Sequence, residues 1–199
     1  MYKTQHCYVQ EDIKQVSLLN NKRWVAFFSH TGNEINNLSK KLGRYPDRVV
    51  TNRSPDAEMN QGLLSSTDIV YTRDRPDVED YSRVLRDDEC VVTLHGWMRI
   101  VPKTICKEYD IYNLHPGLIT KYPELKGADP QARVANHADE SVYKHVGCVI
   151  HIVTPGVDEG QVLASASTAN VYSGAPALIK RLHVMALDLW VEFITHENI

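Results

Sequence analysis

The sequence predicts an α/β protein: a mostly parallel, twisted sheet with helices on both faces. Three observations predict it. Trp24-Val25-Ala26-Phe27-Phe28 and Cys90-Val91-Val92-Thr93-Leu94 are short, unbroken apolar runs, as expected of strands covered on both sides. Segments with apolar residues at helical spacing lie between such runs, and this alternation argues for parallel strands joined by right-handed crossovers. The chain then changes character, with a strand pair around the Gly156–Gly160 turn and one long amphipathic stretch at the end.

Taken in order, residues 1–23 are mixed in composition and read as an extension ahead of a single domain over 24–199. After the Trp24–Phe28 strand comes a polar turn, Ser29-His30-Thr31-Gly32-Asn33. Ile35, Leu38 and Leu42 then recur on one helical face up to Gly43. Arg48–Asn52 and Asp68–Tyr71 are further strands, with helices expected over Pro55–Ser65 and Val78–Arg86. Pro102 suits the first turn of a helix reaching Lys107, and the strand Ile111–His115 follows. Asp129 before Pro130 reads as an N-cap with proline at the first helical position, so Asp129–Ala138 is expected to be helical. Alternation in Cys148–Val153 and the Val162–Ala164 run predict an antiparallel hairpin. Leu178, Leu182, Met185, Leu189 and Phe193 form one stripe of a helix over Ala175–Ile194.

Composition narrows the function classes. The 199 residues suffice for one well-buried core, and 43% hydrophobic with 24% charged residues is ordinary for a globular protein. A net charge of -3 gives no reason to expect nucleic acid or an anionic membrane as partner. No apolar stretch approaches a membrane span, and Met1–His6 lacks the apolar core of a signal peptide. Cys7, Cys90, Cys106 and Cys148 show no C-x-x-C spacing and read as reduced thiols, so a cytoplasmic setting is expected. His30, His95, His145 and His151 lack metal-ligand spacing, and no metal is expected. His151 reads as a hydrogen-bonded structural residue. Arg44, Arg48, Arg53, Arg73 and Arg75 read as surface charge.

The chemistry concentrates in Asn113-Leu114-His115-Pro116-Gly117 and in Asp158 far downstream. Asn113 and His115 are two positions apart in a strand and so point the same way. Pro116 cannot continue a sheet ladder, which leaves His115 at the strand's rim. An amide and an imidazole that can donate to an oxyanion, faced by a carboxylate on another loop, suit acyl transfer.

Gly96-Trp97-Met98-Arg99-Ile100, Asn113 to Pro123, and the run from His151 to Leu163 occur in that order. On these three motifs the chain resembles the folate-dependent formyltransferases, and among them the glycinamide ribonucleotide branch. The resemblance runs from about Trp24 to the C-terminus. It implies a Rossmann-like formyltransferase fold and a formyltransferase catalytic domain over 24–199. It also implies 10-formyltetrahydrofolate as co-substrate, with a small-molecule primary amine as acceptor. Asn113, His115 and Asp158 map onto the family's catalytic trio. Trp97, Met98, Arg99, Ile100 and Val101, with Val153, Thr154 and Val157, would line the folate headgroup. Thr31, Gly32, Asn33 and Gly96 would hold the amine substrate, the first three as a phosphate grip at a helix N-terminus. Monomer and homodimer both stay open.

The sequence departs from the family in three places. The interval from His115 to Asp158 is longer than in the family, which places an insertion within Leu125–His145. Glu34 lies in the phosphate turn, where a carboxylate would repel an anion unless it serves the helix dipole. Ala186 stands where the family has a glutamate near the ribose. Glycinamide ribonucleotide is the leading acceptor, with an amino-sugar nucleotide or modified nucleotide as the alternative. A 10-formyltetrahydrofolate hydrolase and a silent folate-binding module are the competing classes.

Overall fold

The computed structural model describes residues 5–8, 18–86, 89–137, 142–171 and 174–195. Among the described residues, eight strands form one sheet in the order β1-β8-β7-β6-β5-β2-β3-β4. The strands are β1 (Gln5–Tyr8), β2 (Arg23–Phe28), β3 (Arg48–Thr51), β4 (Ile69–Tyr71), β5 (Cys90–Leu94), β6 (Ile111–His115), β7 (His145–Ile152) and β8 (Val162–Ala169). From β4 to β6 all neighbours are parallel. β7, β8 and β1 then add antiparallel.

Helices cover both faces, as the apolar runs require. In β2, Trp24, Ala26 and Phe28 face a core shared with α1 (Asn33–Leu42) and α6 (Ala175–Thr195). Val25 and Phe27 face the opposite core, with Tyr81, Val84 and Leu85 of α3 (Val78–Leu85) and Ile105 of α4 (Lys103–Glu108). The period of two in strand side chains sends alternate residues to the two cores. That is why every position from Trp24 to Phe28 is apolar.

The long C-terminal helix and the β7–β8 hairpin form as the sequence predicts. Two other elements differ. In place of a helix over Pro55–Ser65, only α2 (Gln61–Leu64) is helical. The Asn60 side chain caps it by accepting from Leu63 N, while Asn60 N donates to the Thr31 carbonyl. Asn60 is thus tied in an extended conformation to the loop after β2, and a helix cannot pass through it. The second difference is α5, which spans Pro130–Ala135. Asp129 stands at its N-cap position with φ of 51° and makes no side-chain capping bond; the expected end at Ala138 lies outside the described residues.

Parts of the first 23 residues join this architecture. β1 pairs with β8, Leu19 packs into the core, and Leu18 N donates to the Ile194 carbonyl. Arg44 closes over the same segment, donating to the carbonyls of Leu19 and Lys22 and pairing with Asp47. Arg73 is likewise engaged by Asp77 and Asp80, and Arg48 by the Val84 carbonyl. Arg44 and Arg48 tie backbone carbonyls of the fold, while Arg73 stays exposed as a surface ion pair.

Candidate functional site

In an open parallel sheet, ligands settle beyond the carboxyl ends of the strands where strand order reverses. Here the chain leaves β2 for β3 on one side and returns to β5 on the other. The loops after β2 and β5 meet at that point. Ser29 N donates to the Gly96 carbonyl, and Met98 N donates to the Ser29 hydroxyl. Gly96 has φ of 66°, and a Cβ there would lie 3.0 Å from the His30 ring.

One strand over, β6 brings Asn113 and His115 to the same edge, and β7 runs back beside it with His151 directly opposite Asn113. Asp158 comes from the tight β7–β8 connection. A Cβ on Gly160 would fall 1.7 Å from the Ile152 carbonyl oxygen, so that turn closes only around glycine. Asp158 itself adopts φ of 50°, a left-handed conformation that aspartate and asparagine tolerate better than most residues.

The three residues from remote segments meet. His115 Nδ1 lies 3.1 Å from Asp158 Oδ2, and His151 Nε2 lies 3.3 Å from Asp158 Oδ1. Asn113 Nδ2 is 3.1 Å from the same His151 nitrogen. Gly127 N donates to Asp158 Oδ2 at 2.9 Å, and the Leu125 carbonyl faces His115 Nε2 at 2.8 Å. Acceptors therefore confront both His115 nitrogens, so neither has a hydrogen to offer an oxyanion in this arrangement, which corrects the donor role expected from the sequence. His151 Nδ1 faces the Ile152 carbonyl. Its Nε2 adjoins both Asp158 Oδ1 and the Asn113 amide, so a hydrogen there donates to the carboxylate while the ring packs beside the amide.

Burial alone would push the Asp158 carboxyl up. Hydrogen bonds from His115, His151 and the Gly127 amide outweigh it and hold the group far below the usual carboxylate range. An acid so strong has a weak conjugate base, so Asp158 is better suited to hold charge than to take a proton. A carboxyl depressed in the folded state adds stability that is complete above its ordinary value of 3.8 and is lost as pH falls through the lower folded value. In chemical denaturation at pH 6 and pH 3, wild type is therefore expected to lose more stability on acidification than Asp158→Asn. Equal losses would show that the carboxylate is not so held.

The other predicted residues divide. Met98, Ile100 and Val157 are exposed apolar side chains, at 53%, 62% and 50%. Trp97 and Val101 are not among them. Trp97 is buried, with its ring edge-on to Phe27 and Tyr81 and its indole N–H on the Tyr81 hydroxyl; Val101 sits in the same core. Both are floor, not wall. Arg99 is engaged by Asp74, Val153 packs partly against that core, and the Thr154 hydroxyl donates to the Gly156 carbonyl.

At the turn after β2, Gly32 has φ of 75° at the α1 N-cap, and the Asn33 side chain accepts from Asn60 Nδ2 at 2.7 Å. Thr31 gives its carbonyl to Asn60 N. Glu34 is more than a helix-dipole residue. Its Oε1 accepts from His95 Nδ1 at 2.8 Å and from the Trp190 indole at 2.9 Å. Burial raises its carboxyl, but the contacts with His95 and Trp190 outweigh this and keep it below its ordinary value. About a third of the side chain stays exposed at the mouth of the crevice.

The sequence model of the formyl transferase family matches residues 25–175. This chain belongs to that family. Over 112 residues it is 36% identical to phosphoribosylglycinamide formyltransferase of Dictyostelium discoideum, covering 52% of each chain. A segment of 79 residues is 33% identical to the trifunctional purine biosynthetic protein adenosine-3 of Drosophila melanogaster, covering 39% of this chain and 5% of that protein. The chain thus spans about half the length of the first of these relatives and a small part of the second.

Solved structures share the fold. Phosphoribosylglycinamide formyltransferase of Bacillus halodurans superposes with a TM-score of 0.71 at 22% identity, over 87% of this chain and 93% of that one. A sugar N-formyltransferase from Shewanella superposes at 0.60 and 18% identity, over 89% and 73%.

Three contributors were read as structural or not read at all, His151 being the one taken as structural. His151 was visible as a polar residue in a buried apolar strand, but its partner became evident only with the β6–β7 register. Leu125 and Gly127 act through their backbones, which side-chain patterns do not encode.

Proposed function

We propose that this protein transfers the formyl group of 10-formyltetrahydrofolate to a primary amine. The observation that carries the reading is the ionised Asp158 gripped by His115, His151 and the Gly127 amide beside Asn113. The neutral amine attacks the formyl carbon, a C–N bond forms, and negative charge develops on the former carbonyl oxygen. The Asn113 side-chain amide donates to that oxygen, and the doubly hydrogen-bonded His115 ring adds positive charge near it. Asp158 keeps the ring so charged and oriented. The proton lost by the attacking amine travels through water to N10 of the folate, the C–N10 bond breaks, and tetrahydrofolate leaves. The folate ring system rests on the exposed Met98, Ile100 and Val157 side chains.

The relatives make glycinamide ribonucleotide the first acceptor to test, a step of purine biosynthesis in the cytosol. Glu34 favours a second reading. Its carboxylate, held by His95 and Trp190, stands in the first turn of α1 beside the N-terminus that would grip a phosphate, so an amine with no phosphate at that end fits better there, as one presented at the sugar end of an amino-sugar nucleotide would.

Release of tetrahydrofolate is measured with glycinamide ribonucleotide, with an amino-sugar nucleotide and with no amine. Turnover only with an amine supports transfer; turnover without one supports the hydrolase. If the carboxylate excludes phosphate, Glu34→Gln raises kcat/KM for glycinamide ribonucleotide by about tenfold, the scale of one unfavourable charge contact. An unchanged value removes the second reading.

A further inference from the structure

One segment touches both halves of the His115–Asp158 pair through its backbone alone. The Leu125 carbonyl accepts from His115 Nε2 at 2.8 Å, and two residues on, Gly127 N donates to Asp158 Oδ2 at 2.9 Å. Gly127 has φ of 82°, a conformation glycine adopts without penalty and one that lets the chain double back between the two contacts. A backbone bracket of this kind has no strand to hold it in place. A 3-10 turn over Pro123–Leu125 and the buried Leu125 side chain fix its start, and Arg133 on α5 spans its carbonyls. That guanidinium donates to three successive carbonyls: to Glu124, to Leu125 at 3.0 Å and to Lys126 at 2.8 Å.

We propose that Arg133 is a positioning residue for the reaction, clamping carbonyls 124–126 so that the same stretch of backbone holds His115 and Asp158 face to face. This rests on the formyl-transfer reading above. The planar fork of arginine reaches several acceptors at fixed angles, whereas a lysine ammonium is a mobile point charge. Leu125 O links the two layers, because it accepts from Arg133 and from His115 at once. Arg133 is itself fixed by its helix, which starts at the buried Pro130 and packs Val134 and Ala135 against Val146, Leu178 and Leu182.

The test uses Arg133→Lys and Arg133→Ala, with Lys retaining charge and aliphatic stem so that the fold is kept. With 10-formyltetrahydrofolate and the accepted amine, both variants are expected to lose about tenfold or more in kcat, the scale on which small misplacements act. KM for the folate should stay within about twofold, and the pH profile of kcat should move because the His115–Asp158 pair loosens. Millimolar guanidinium should restore part of the activity of Arg133→Ala and none of Arg133→Lys. The imidazole nitrogen resonances of His115, followed by NMR without any substrate, should shift in both variants. Wild-type kcat, pH profile and His115 resonances in Arg133→Lys would overturn the proposal. If wild type itself transfers no formyl group, the functional reading falls, while the NMR comparison still decides whether Arg133 positions the pair.

Discussion

Asp158→Asn is expected to lower kcat by at least about a hundredfold while leaving the fold intact, and His115→Ala to do the same. The substitution isolates charge from shape. Asparagine is isosteric and tolerates the left-handed backbone at this position, where φ is 50°, so the β7–β8 turn should close as before. What is lost is the anion against which His115, His151 and Gly127 N–H are set. Without it, no acceptor of full charge faces His115 Nδ1, and the ring no longer carries positive charge toward the developing oxyanion. Loss of one such stabilising group is worth roughly 3 kcal/mol of barrier, or on the order of a hundredfold in rate. The measurement is single-turnover transfer from 10-formyltetrahydrofolate at saturating amine, with circular dichroism to check the fold. Near-normal single-turnover rates in either variant would mean that the chemistry happens elsewhere.

The common phase of Asn113 and His115 was legible from local rules, whereas the joining of Asp158 to them rested on the resemblance to the family. A strand sets the two-residue phase, proline ends it, and glycines mark the turn that delivers the carboxylate. The strand–helix order was legible for the same reason: apolar period and flanking glycine or proline are written in neighbouring residues. What escaped depended on long-range partners. Asn60 carries a helix-capping side chain, yet its main chain is claimed by Thr31, nearly thirty residues away. Trp97 looks like a ligand wall in a motif, but its indole N–H finds Tyr81 and turns the ring into the core. Glu34 was a conflict on paper because a carboxylate in an anion cup opposes its own site. In the fold it answers to His95 and Trp190, which no local pattern connects to it.

Trp190 carries the largest expected effect on stability. Trp190→Ala is expected to cost about 3–5 kcal/mol, as for other large aromatic truncations in cores, and to lower the melting temperature by about 10 °C in a chain of this size. The residue has no exposed surface, its ring lies 5.1 Å from that of His95, and it closes the core between α6 and β2. Truncation leaves a cavity and also takes from Glu34 one of its two donors. The remaining network is a closed chain: the Trp24 indole donates to the Thr93 hydroxyl, that hydroxyl meets His95 Nε2, and His95 Nδ1 donates to Glu34. Trp190→Phe separates the contributions, since it keeps most of the ring and loses only the N–H, for about 1–3 kcal/mol from an under-paired carboxylate. A second readout follows from the sign of the linkage. Glu34 is depressed in the folded state, so its contribution is complete above its ordinary value of 4.5 and fades as pH falls through the lower folded one. Removing a donor brings the two values together, and both variants should lose less stability than wild type between pH 6 and pH 3. Denaturant titrations at those two pH values decide it: a Trp190→Phe protein with wild-type stability and wild-type acid sensitivity would mean that the indole N–H does not hold Glu34 in place.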